Sequence, residues 1–289
     1  MSAARSSLSD ALVARARRLD QAALKILEAP RLNPQQVHRV RVTSKELRGL
    51  WQLVRGLREK TADQASNRLA AAARTLGGAR DRHVMEATLI QLARESRRSS
   101  EQQALEQARQ CLFPAAGEDP GVAAPEQVRQ AFADDLADWR ALRIKGGDEA
   151  LLDQGLRRSW RKIRNRILKA LDSDRLEDWH ALRKWIKYLG YQLQWLERCG
   201  LESPLPAARM QEFGRDLGRL HDLHVLISHV RDQVEQFPDR DAAGYCLHLL
   251  RRHEGAQLQH CAVSAVHLTQ IKPGELSRQL QAQISAPQS

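Results

Sequence analysis

Two short patterns occur twice, in the same order, along this 289-residue chain, and that duplication constrains the fold more than any other feature. The first pattern is H-x-x-R-x-x-x-K, carried by His38, Arg41 and Lys45 and again by His180, Arg183 and Lys187. The second is L-G-x-x-x-D-x-H-V, spelled LGGARDRHV from Leu76 and LGRLHDLHV from Leu217. Leu76 follows His38 by 38 residues and Leu217 follows His180 by 37, a difference that one loop indel accounts for. Unrelated patterns recurring in order at matched spacing imply a duplicated half.

The half is helical. Apolar residues recur at three- and four-residue spacing throughout, and 16 Gly with 10 Pro are too few for a strand-and-turn fold. Aromatics make up only 4%, so the cores must be mostly Leu, Ala, Val and Ile. Helices are expected over 9–28, with Ser9 as cap, then 34–58, 63–94, 101–112, 126–143, 148–171, 174–198, 207–236 and 239–260. Gly77 and Gly78 should kink the third. The expected fold class is all-α. The expected layout is an N-terminal tail (1–8), a duplicated domain (9–262) and a C-terminal segment (263–289) that is polar and weakly ordered. Within the domain, halves at about 9–113 and 126–262 flank a linker, PAAGEDPGVAAP, at about 114–125.

The formal net charge is +11. Its placement distinguishes an anionic partner from a merely Arg-rich composition. At about 100° per residue, Arg41, Lys45 and Arg48 fall within about 80° of His38, while Val40, Leu47, Leu50 and Val54 lie opposite. His180, Arg183, Lys187 and Gln194 likewise lie within about 60° of one another, opposite Leu182, Trp185, Leu189, Leu193 and Leu196. An amphipathic helix commonly has a solvated charged face. These stripes differ in being single-signed, without i,i+4 glutamates, and in repeating a histidine at one register. A duplicated fold that opposes them makes sense mainly with an anion between them.

In the second pattern, Gly77 and Gly218 should allow a close helix approach. Asp81 and Asp222 are expected to orient an Arg or His, and His83 and His224 could face either ligand or core. A third basic run, LRRSWRKIRNRILKAL from Leu156, puts Arg157, Arg161 and Arg164 on one edge and Arg158, Lys162 and Lys169 on another. At least half of these read as ordinary solvated charges.

These motifs resemble the CHAD family, the conserved histidine α-helical domain, over roughly residues 8–260. That family shows H-x-x-R-x-x-x-[RK]-x-x-R and a later L-G-x-x-[RN]-D once per half. The resemblance implies two antiparallel four-helix bundles related by an internal pseudo-twofold axis, with a basic cleft that binds inorganic polyphosphate. It carries over His38, Arg41, Lys45 and Arg48 from the first half and His180, Arg183 and Lys187 from the second. Arg80, Arg161 and Arg219 complete the expected ligand-binding set. The second copy departs at Gly190, where an arginine would match Arg48, and at His221, which replaces the residue matching Arg80; it should grip more weakly. Many relatives carry a triphosphate-hydrolysing tunnel domain, but this chain has no E-x-E-x-K segment and reads as a stand-alone module.

The expected function is therefore non-catalytic polyphosphate binding, with association to polyphosphate granules by analogy. A metal-dependent phosphohydrolase is the weaker rival. Glu177-x-x-His180 matches one arm of a di-iron site, but the first copy has Gln35-x-x-His38. RNA binding is the stronger rival, since phosphate contacts dominate there too, although no recognition motif or aromatic platform is evident. No cofactor or metal is expected: Cys111, Cys199, Cys246 and Cys261 form no CxxC pair. The N-terminus lacks a secretory h-region and no run is long enough to span a bilayer, so a cytoplasmic protein without a membrane partner is expected.

Overall fold

Asn33 fixes the start of the first motif helix. Its side chain accepts from the Gln36 backbone, the Gln36 side chain accepts from the Asn33 backbone, and Pro34 occupies the first turn. The computed structural model describes residues 7–76, 78–114, 122–123, 125–173 and 175–285, and only the backbone of 78–81. Its helices are α1 (Leu8–Ile26), α2 (Pro34–Val54), α3 (Glu59–Thr75), α4 (Gly78–Glu95), α5 (Ser99–Leu112), α6 (Glu126–Ala141), α7 (Gly147–Ala150), α8 (Arg157–Asp172), α9 (Leu176–Arg198), α10 (Ala207–Asp232), α11 (Arg240–Thr269) and α12 (Pro273–Ser285). A π-helical turn, Leu151–Leu156, joins α7 to α8. Extended structure among the described residues is limited to Arg31–Leu32 (β1) paired antiparallel with Val122–Ala123 (β2). The chain is all-helical, as expected.

It divides into two compact units, each drawing on both sequence halves. The first holds α1–α3, α6–α9, α10 as far as Gly214, and α12. The second holds α4, α5, α10 from Arg215, and α11 as far as Ser264.

In the first unit α1, α2, α3 and α6 each pack on two of the others, closing a ring. Inside it the Trp51 and Trp139 rings lie 3.9 Å apart, and both indoles donate to buried Asp135 at 3.0 Å. Hydrogen bonds from Ser44 to the Leu69 carbonyl and from Arg41 to that of Ala73 fix α3 antiparallel to α2. α2 also packs on α9 and on the π-helical turn. Two glycines permit this. A Cβ at Gly49 would lie 3.2 Å from the Tyr188 carbonyl oxygen, and one at Gly155 would lie 2.1 Å from that of Leu53. The Gln192 amide bridges α9 to the Gly49 carbonyl at 2.8 Å.

The second unit has its own core. Leu89 and Leu92 of α4, Leu105, Ala108 and Leu112 of α5, Leu223, Leu226 and Val230 of α10, and Cys246, Leu249 and Leu250 of α11 are all buried together. Apolar i, i+3, i+4 spacing on four helices builds this cluster without a strand.

Three expectations change. Ser7, not Ser9, caps α1 by accepting from the Asp10 backbone; the backbone and hydroxyl of Ser9 donate to Asp148. The helix expected over 63–94 is two helices, with α3 ending at Thr75 and α4 starting at Gly78, whereas the second motif copy lies inside the continuous α10. The tail is not weakly ordered over 273–285. There α12 buries Leu276 and Leu280 fully, and Gln283 exchanges two hydrogen bonds with the Glu202 backbone at 2.8 and 2.6 Å.

Candidate anion-binding surface

The two H-x-x-R-x-x-x-K helices, α2 and α9, are packed neighbours in the first unit. Their apolar stripes are buried as the periodicity requires: Val40, Leu47, Leu50 and Val54 on α2, and Leu182, Trp185, Leu189, Leu193 and Leu196 on α9. The polar stripes are not. His38 is exposed, and Arg41, Lys45, Arg48, His180, Arg183 and Lys187 are half-buried. Arg41 spends one guanidinium nitrogen on the Ala73 carbonyl, in the last turn of α3 where the helix dipole favours a cation. Arg48 lies over the Tyr188 ring, 5.5 Å from its centroid. Glu46, the acid beside this stripe, is tied to Arg15 of α1 at 2.6 Å.

Arg161 of α8 is exposed and lines a separate cleft of about 460 Å³ with Arg55, Gly56, Glu59, Arg157 and Arg158. Several other cations of α8 are held structurally. Arg157 pairs with Asp153, Lys169 pairs with Asp178, and Arg164 donates to the Thr269 carbonyl.

Sequence reasoning missed a cation group around Trp185. Lys162 of α8 sits 4.2 Å from the Trp185 ring centroid, and Arg166 and Lys184 each sit 5.7 Å from it. Burial pulls the Lys162 ammonium below its ordinary value, and Arg55, Arg166, Arg158 and Lys184 pull it further. Burial, then Arg48 and Arg166, does the same to Lys184. The available signal was the i, i+4 series Arg158, Lys162, Arg166, of which the edge assigned to Arg158, Lys162 and Lys169 omits Arg166.

The remaining expected residues belong to the second unit. Arg219 is exposed and Asp222 half-buried; both line a small cavity of about 120 Å³ with Thr88, Glu95, His253 and Gln257. The side chains of Arg80 and Asp81 lie outside the described residues. His83 is exposed, and Nδ1 of the half-buried His224 is 3.2 Å from Glu254 Oε1. Among the described residues no three His, Cys, Asp or Glu side chains gather as metal ligands, and no helix is long and apolar enough to cross a membrane.

The family model for the CHAD domain matches residues 10–231. The chain belongs to the CHAD family. The match ends within α10 and leaves α11 and α12 outside it. Neither the curated proteins nor the solved structures contain a significant match to the chain. This CHAD chain also gives a physical reason for its departure at Gly190. That position is buried; a Cβ there would fit in ordinary contact with Met210 at 3.5 Å and Gln211 at 3.8 Å, but the longer arginine side chain would have to be accommodated against α10. Beside Arg48, the cation that α9 supplies is Lys184.

Proposed function

We propose that the protein binds inorganic polyphosphate without hydrolysing it, on a basic surface to which both sequence halves contribute through α2 and α9. The observation that carries this reading is the packing of α2 on α9, which brings the two basic motif helices together in one unit. An excess of like charge on one surface repels itself, and a bound polyanion relieves that repulsion. A flexible chain with one charge per phosphate suits such a row, and CHAD membership supports that ligand. The reading includes a cleft between the stripes and a pseudo-twofold relation between the halves. It places the protein in the cytoplasm, where polyphosphate granules would recruit it by binding alone.

The test is a binding isotherm for long-chain polyphosphate at increasing salt, with phosphate release followed in parallel. Affinity should fall with salt at a log–log slope of about −0.7 per phosphate contacted, by analogy with single-stranded nucleic acid. No phosphate should be released. Lys45→Glu with Lys187→Glu should remove most of the affinity. Salt-independent binding refutes the electrostatic reading, and phosphate release refutes the non-catalytic one.

A further inference from the structure

The Trp185 cluster has a consequence beyond the two motifs. Arg158, Lys162 and Arg166 follow one another at i, i+4 on α8, and Lys184 approaches them from α9. Arg48 of α2 is within electrostatic reach of Lys184. No carboxylate among the described residues is ion-paired with Lys162, Arg166, Lys184 or Arg48; the nearby acids Glu59 and Asp63 are held by Arg55. Trp185 is buried, and its Nε1 donor has no hydrogen-bond partner among the described residues. Neither does Nε of Arg48 or Arg166. Buried donors without partners and crowded unpaired cations are both costly in a folded protein. The indole face offsets only part of that repulsion. A row of anionic oxygens would offset the rest.

The geometry points to a phosphate-binding station formed by Lys162, Arg166 and Lys184 around Trp185, which takes successive phosphates of the same chain that the α2 and α9 stripes hold. This rests on the polyphosphate reading above, and it moves part of the binding surface onto α8, outside both repeated motifs. Arg48, a member of the α2 stripe, lies over Tyr188 and is within electrostatic reach of Lys184, so it joins the station to that stripe.

The experiment compares wild-type protein with the triple variant Lys162→Gln, Arg166→Gln, Lys184→Gln, using long-chain polyphosphate over a range of salt. Glutamine keeps much of each aliphatic stem, and circular dichroism checks the fold. Three lost contacts should make the log–log salt slope shallower by about 2. Trp185 fluorescence should change on binding in the wild type. That change should disappear in Trp185→Phe, which keeps a π face and retains binding. If the triple variant does not fold, Lys184→Gln alone carries the test, since that residue is the most exposed of the three; the slope should then fall by about 0.7. A variant with the wild-type slope and an unchanged Trp185 signal overturns the station and leaves the polyphosphate reading standing. Failure of the wild type to bind polyphosphate overturns that reading first, and the station with it.

Discussion

Replacing Asp20 with asparagine should stabilise the protein increasingly as pH rises. Asp20 of α1 is fully buried in the first unit, where its carboxyl faces that of Asp135 and no N–H reaches either of its oxygens. Its neighbour Asp135 is also fully buried but receives two indole N–H bonds, with Arg68 3.5 Å away. Burial, reinforced by the charge of Asp135, pushes the Asp20 carboxyl up to about 9. Asp20 therefore keeps its proton in the folded state and loses it on unfolding. Asp20 thus holds one more proton in the folded state than in the unfolded chain above about pH 4, and burial raises the Asp135 carboxyl as well, to about 7, so the contribution of Asp20 itself declines as pH rises, by about 1.4 kcal/mol per pH unit. The decline continues until the folded carboxyl itself ionises near pH 9. Asparagine presents a donor to Asp135 and does not titrate. Between pH 5 and pH 8 the stability of Asp20→Asn relative to wild type should therefore shift in its favour by about 4 kcal/mol. Urea unfolding followed by tryptophan emission reports this directly, because Trp51 and Trp139 flank the pair. Parallel stability curves for the two proteins across that range would refute a shared proton.

Other consequences are local. Gly155→Ala should lower stability by about 1–3 kcal/mol in a thermal melt, since its Cβ would meet the Leu53 backbone rather than a movable side chain. Arg41→Gln should cost about 0.5–1.5 kcal/mol of stability as well as affinity, because Arg41 also bonds the Ala73 carbonyl at the end of α3. Arg97→Glu with Arg98→Glu, both exposed and outside the motifs, should change polyphosphate binding far less than Lys45→Glu with Lys187→Glu; equal effects would make net charge, not a formed site, responsible. A bound polyanion should favour protonation of His38 and His180, so affinity should rise as pH falls from about 8 to about 6. Calorimetry in two buffers should detect that proton uptake and lose it in His38→Gln with His180→Gln.

The parts of this structure legible in the sequence are those governed by periodicity. The apolar stripes of α2 and α9 identify their buried faces because every member sits at helical spacing and none is polar. The separation of α3 from α4 was legible only in part: the Gly77–Gly78 pair predicts a kink in one helix, not two helices. The same L-G-x-x-x-D-x-H-V motif stays helical in α10 but separates α3 from α4, where a second glycine follows the first. α12 was hidden by its composition: Leu276 and Leu280 are isolated among polar residues, yet one turn of spacing is enough to dock them. The Trp185 station depends on α8 meeting α9, which no single-helix pattern contains. Trp185 reads as core from its position and is buried, but its ring also carries three cations.

Competition between polyphosphate and single-stranded RNA separates a surface that selects polyphosphate from one that takes any phosphate chain. RNA-binding surfaces add base stacking on exposed aromatic rings to their phosphate contacts, and among the described residues Tyr245 is the one exposed aromatic side chain. Labelled long-chain polyphosphate bound to the protein at physiological salt should be displaced by unlabelled polyphosphate at comparable phosphate concentration, and by RNA only at large excess. Displacement by RNA at equal phosphate concentration would show that the surface does not select polyphosphate.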